Sequence, residues 1–173
     1  MDFWVPDASS GEIVGSSELV AQAPLDAIAR WQDLRGASRF PRRPDPVMDL
    51  VGDNTILVRV IGEGQDYEYC RVGPALIAGF GIDFSGQRLS EIEASTPRFG
   101  IGLRMLYEMV RAGADPLCYR GWTGLDMPGA QFLYYESVTL PFGEQVDRVD
   151  HLLVVSVLVL RDKDCLPQHL KAL

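Results

Sequence analysis

The chain has 173 residues, 47% of them hydrophobic, with 16 lysines and arginines against 24 aspartates and glutamates, a net charge of −8 and a pI near 4.7. That length holds one well-buried domain with extensions, and the acidic balance excludes the basic stripe that nucleic-acid binding needs and disfavours anionic membranes. The longest apolar run, Leu152 to Leu160 broken by Ser156, is about half of what a membrane-spanning helix requires, and MDFWVPDASSGE lacks an export signal, so a cytoplasmic location is expected.

Residues 1–16 read as a flexible leader. A helix is predicted from near Pro24, a residue suited to a first helical turn, to Gly36, with Leu25, Ile28, Trp31 and Leu34 as its apolar stripe. Pro41, Pro44 and Pro46 mark a linker that cannot continue a helix, and Arg39, Arg42 and Arg43 belong to it rather than to a DNA-binding arm. Thr55 to Ile61 and Tyr67 to Val72 read as a hairpin around GEGQD. Short helical pieces follow at Ala75 to Phe80 and Leu89 to Ile92.

PRFGIGLRMLYEMVRAGA is the strongest helix signal. Phe99, Leu103, Leu106 and Val110 share one face, Arg104, Glu108 and Arg111 lie mostly away from it, and Gly113 is the expected cap. Three strands are then predicted near Leu117 to Trp122, Gln131 to Leu140 and Arg148 to Leu160. The last, HLLVVSVLVL, is apolar at odd and even positions alike. It is therefore expected to be a central strand covered on both faces, with the helix at 24–35 or a second copy of the chain as the outer cover.

This order resembles the PAS domain, a five-stranded antiparallel sheet with short helices folded across one face. The chain is similar, more closely, to short bacterial PAS-like proteins in LDAIARWQDLRGASRFPRRPDP, YEYCRVGPALIAGFGIDFSGQRLSEI and VDRVDHLLVVSVLV, over about residues 25 to 160. The expected fold is α+β: that sheet, short helices and one longer helix on one face, and an additional N-terminal helix. The expected divisions are a leader at 1–16, helix and linker at 17–46, a PAS-like domain at 47–162 and a tail at 163–173.

The resemblance implies a non-catalytic sensor or adaptor that binds a small molecule between sheet and long helix, or docks a separate signalling protein. A homodimer through the sheet face or the N-terminal helix is expected. A small α+β enzyme with a pocket built on Arg71 and His151, and a purely structural dimerisation module, are the alternatives.

Residue chemistry narrows the site. Gly79-x-Gly81 is followed by IDFS before Gly86, which breaks the G-x-G-x-x-G spacing of a pyrophosphate cradle, and no long helix opens from it. No cofactor is expected. A haem PAS domain takes a histidine from the long helix or nearby, and 97–113 contain none. A photoactive flavin domain needs a cysteine in an N-C-R-F-L helix, whereas Cys70-Arg71 lies in a predicted strand. Cys70, Cys118 and Cys165 are widely spaced, with His151 and His169 as the other soft ligands, and no metal site is expected. Asp150 and His151, adjacent in a strand, point to opposite faces.

The candidate ligand residues are Tyr69, Arg71, Tyr107, Trp122 and Tyr135. Strand alternation places Tyr67, Tyr69 and Arg71 on one face, so that Arg71 could offer a planar fork to a carboxylate or phosphate if that face looks into the cavity. In water it would instead lay its stem along the sheet. Trp122 and Tyr135 are core aromatics that could also stack on a ligand.

Overall fold

A computed structural model of the chain describes residues 8–42, 50–124, 126 and 130–160. The expected tail at 163–173 and most of the proline-rich linker lie outside these residues. The sheet has six antiparallel strands: β1 (Ser10–Val14), β2 (Thr55–Ile61), β3 (Asp66–Val72), β4 (Leu117–Trp122), β5 (Phe132–Phe142) and β6 (His151–Leu160), in the spatial order β1-β4-β5-β6-β2-β3. Four α-helices accompany it: α1 (Gln22–Arg35), α2 (Pro74–Phe80), α3 (Leu89–Ser95) and α4 (Pro97–Gly113).

The α+β class is as expected, but the strand count is not. Ser10–Val14, expected within a flexible leader, pairs with β4 as a sixth, edge strand. Its sequence SGEIV is short and almost wholly exposed, so apolar patterning could not reveal it. Main-chain pairing with β4 and the Arg120–Glu12 ion pair hold it.

Strand β6 is central, between β5 and β2, and both of its faces are covered. Leu152, Leu153, Val154 and Val155 are all buried. Helix α1 packs on the outer face of β5 and β6 through Pro24, Ala27 and Trp31, while α2 and α4 lie against the opposite face. The Trp31 indole N–H donates to the Pro141 carbonyl at 2.8 Å, which satisfies the polar edge of a ring that is 3% exposed.

The chain entering α1 is fastened by Glu136 of β5. This carboxylate is buried, yet it accepts hydrogen bonds from Val20 N (2.8 Å), Ala21 N (2.7 Å) and the Tyr134 hydroxyl (2.8 Å). A buried carboxylate is tolerated when donors surround it in this way.

Two glycines of the central series have distinct tasks. Gly81 ends α2 in the left-handed region, at φ 75°, where a side chain would clash with its own backbone. Gly73, with an ordinary φ of −70°, lies against the Asp53 backbone, and a Cβ there would collide with the Asp53 carbonyl oxygen. The cap of α4 differs from expectation: Gly113 is the last helical residue, and Ala114 takes the left-handed turn at φ 52° with its methyl group buried.

Removing the Glu136 carboxylate would leave two amides and a hydroxyl without partners beneath α1. Glu136→Ala is expected to cost about 3 kcal/mol and lower Tm by about 6–12 °C, measured by thermal unfolding. A loss below about 1 kcal/mol would show that this anchor contributes little.

Candidate functional site

A cavity of about 710 Å³ lies between the inner face of the sheet and α4. Register explains why it exists on this face. Ile13, Tyr119, Ser137, Ser156 and Ile56 are brought to the same side by the pairings β1·β4, β4·β5 and β5·β6 and by that of Ile56 with Val154. All six strands contribute lining, and α4 closes the space with Leu103, Leu106 and Tyr107.

One end of the layer beneath α4 is filled. Tyr67 and Tyr107 pack with ring centroids 5.3 Å apart, and Leu76, Leu89 and Ile92 are buried around them. Towards β4 and β1 the filling stops. The mouth lies between β1 and α4, where Ile13, Met105 and Met109 are 53%, 62% and 49% exposed.

The walls are aromatic. Phe80 meets Phe84 and Phe132 edge-on at 5.7 and 5.5 Å, and Tyr119 meets Tyr135 at 6.0 Å. Tyr135 lies across the β4–β1 pair because both strands carry glycine beneath its hydroxyl. A Cβ at Gly121 or Gly11 would sit 2.6 or 2.9 Å from that oxygen.

Polar groups of the lining pair with one another. Tyr69 and Tyr107 share a hydroxyl–hydroxyl bond of 3.2 Å, and Ser137 and Ser156 one of 2.6 Å. Burial raises the pKa values of Tyr69, Tyr107 and Tyr119 above the ordinary phenol value and pushes that of Tyr135 up to about 12. The lining is therefore uncharged at neutral pH on its tyrosine side.

Of the expected ligand residues, Tyr69, Tyr107 and Tyr135 converge on this cavity. Trp122 borders it, but its ring packs on Tyr134, 4.8 Å between centroids, and the β4–β5 register places that pair with Glu136 on the outer face. Arg71 does not line it. The β2–β3 ladder shifts register between Leu57 and Val58, so Tyr69 pairs with Val58, Cys70 is an extra residue and Arg71 pairs with Leu57. This bulge reverses the alternation. Arg71 is exposed and turned to the side opposite the tyrosines.

His151 is also absent from the lining. It pairs with Arg59 and Phe142, and strand β2 stands between it and Arg71. Asp150 is engaged in the β5–β6 turn, accepting from Arg148 Nε at 2.7 Å and Glu144 N at 3.0 Å. Arg71 and His151 thus lie on the outer face, apart from the tyrosine cavity. Among the described residues no group of three His, Cys, Asp or Glu is placed to hold a metal ion.

Sequence reasoning missed Tyr119, Ser137 and Ser156. Ser156 left a signal, because a serine interrupts an otherwise apolar, doubly covered strand. It also missed the role of the α4 charges, which are not simply solvated. Arg104 reaches Glu93 with two bonds of 2.6 and 2.8 Å, Asp66 at 3.3 Å, and sits 5.9 Å above the Tyr67 ring. Glu108 accepts from Tyr67 and Arg111.

These contacts bias the carboxyl groups. The Arg104 hydrogen bond holds Glu93 below the usual carboxylate range. Burial opposes ionisation of Asp66, but hydrogen bonds from Ser90, the Tyr67 amide and Arg104 together outweigh it and lower its pKa. The network fixes α3 and α4 to β3, and so fixes the roof of the cavity.

No family model, no curated protein and no solved structure matches the chain.

Groups with depressed pKa values stabilise the fold above their unfolded-state values, and that contribution disappears as pH falls through the folded-state values. Arg104→Met is therefore expected to lower stability most at pH 6–7, with the difference from the parent shrinking below about pH 4. Urea unfolding across this range measures it, and a difference that stays constant down to about pH 3 would contradict the assignment.

Proposed function

We propose that this chain is a non-catalytic signal-input module of the PAS type. It takes a small molecule between its sheet and α4, and passes the change to a separate signalling protein. The observation that carries this reading is the cavity of about 710 Å³, a volume in the range of small-molecule sites, walled by aromatic and aliphatic side chains.

The arrangement around it supports the same reading. Without β1, the remaining strands form an antiparallel sheet, and α2, α3 and α4 are inserted between β3 and β4. That is the arrangement the sequence resemblance implies. The described lining holds no histidine, cysteine, lysine or arginine, a composition that supports binding over nucleophilic catalysis. Occupancy alters a surface only if the ligand binds one state of the roof better than another, and α4 is the element positioned to report it.

Dimerisation and a cytoplasmic location belong to this proposal. Because α1 occupies the outer face of β5 and β6, the dimer is proposed to form through that helix. No helix among the described residues is long and apolar enough to cross a membrane.

Native mass spectrometry of freshly purified protein tests the central claim. The expected spectrum contains the chain plus a bound species of a few hundred daltons that dissociates on denaturation. A bare chain mass, together with no thermal shift from any member of an apolar small-molecule library, would overturn the sensor reading.

A further inference from the structure

The cavity's chemistry selects among ligands more sharply than its size does. From the residues that line it, we infer that it takes an uncharged, largely apolar, ring-bearing molecule with a hydroxyl or carbonyl group, and rejects carboxylates and phosphates. This rests on the reading of the cavity as a ligand site.

An anion would need a cation or several convergent amide donors, and the described lining contains no lysine, arginine or histidine. Arg71, the one expected anion fork, is on the other side of the sheet. The two lining carboxylates are already committed. Glu12 accepts from Arg120 Nε at 2.7 Å, and Asp126 from the Ser9 amide and hydroxyl at 2.7 Å each. Neither offers an open counter-charge to a cationic ligand.

Hydroxyls remain. In the pair Tyr69–Tyr107 one O–H is used within the pair, which leaves the other to donate, while Ser137 and Ser156, bonded to each other and through Ser137 to Tyr119, offer lone pairs that accept. That complement suits one or two neutral oxygen functions. Burial that disfavours a tyrosinate anion disfavours a ligand anion in the same space. The edge-on aromatic walls offer ring faces and edges to a flat ligand, and the exposed Met105 and Met109 extend the apolar path to the mouth.

Two fluorescent probes with one ring skeleton isolate the charge. N-phenylnaphthylamine is neutral, and anilinonaphthalene sulfonate adds a sulfonate to the same frame. The full chain is expected to bind the neutral probe about tenfold or more tightly than the sulfonate, saturating at one probe per chain. Met105→Lys, at a position 62% exposed and therefore tolerant, is expected to narrow that ratio by about threefold or more by supplying the missing cation. Ser156→Met, which fills the floor, is expected to weaken both probes; Met105→Lys keeps the test decisive if that variant does not fold.

Equal or tighter binding of the sulfonate by the parent chain overturns the selectivity while leaving the cavity reading in place. An unchanged ratio in Met105→Lys overturns it as well. Failure of both probes to bind overturns the ligand-site reading and this inference together.

Discussion

Strand β6 has no wet face through its first half, and the rest of the fold is arranged around that requirement. Leu153 and Val155 need cover on one side, Leu152 and Val154 on the other, because several buried aliphatic side chains each contribute about 1.5–3 kcal/mol only if water is excluded. One cover is α1, anchored by the Trp31 indole and by the amides that Glu136 receives. The other is the roof of α2 and α4. The two covers are not equivalent. Beneath α1 the contacts are close, with Trp31 almost wholly buried. Beneath α4 the packing gives way to a cavity, and Ser156 and Ser137 occupy the strand positions that look into it.

Charge is distributed to match. The carboxylates and guanidinium groups of α3, α4 and β3 lie at the filled end, where Arg104 binds Glu93 and Asp66 and the Tyr67 hydroxyl meets Glu108. They hold the helices against the sheet without entering the cavity. Ion pairs of this exposure are individually weak in water. Their value lies in geometry: several bonds converge on the start of β3 and on α3, so the roof is fixed at one end and borders the open space at the other.

Much of this was legible in the sequence. The β-branched run TILVRVI marked β2, the i, i+4, i+7 spacing marked α4, and the absence of alternation in HLLVVSVLVL marked a strand covered twice. Local periodicity encodes such elements directly. β1 was not legible, because five exposed residues held by main-chain pairing carry almost no side-chain signal. The α4 cap was displaced by one residue because Gly113 looked like the better left-handed residue, whereas the buried methyl of Ala114 packs at the actual turn. Tyr69, Tyr107 and Tyr135 were identified from aromatic placement, but their convergence depends on register across strands, which one sequence does not specify.

The largest change came from a single residue. Strict alternation from Tyr67 would have carried Arg71 to the tyrosine face, and the cavity would then have held a guanidinium suited to carboxylates or phosphates. The bulge at Cys70 inserts one residue against β2 and reverses every side chain beyond it. Val72 consequently joins the core, which is the packing reason for the reversal: without the extra residue, Val72 would be turned to the outer face and Arg71 buried beside Ile56. Burying an unpaired guanidinium costs far more than exposing one valine. The core therefore determines the position of the bulge, and the bulge determines that the cavity contains hydroxyls and aromatic rings rather than a cation.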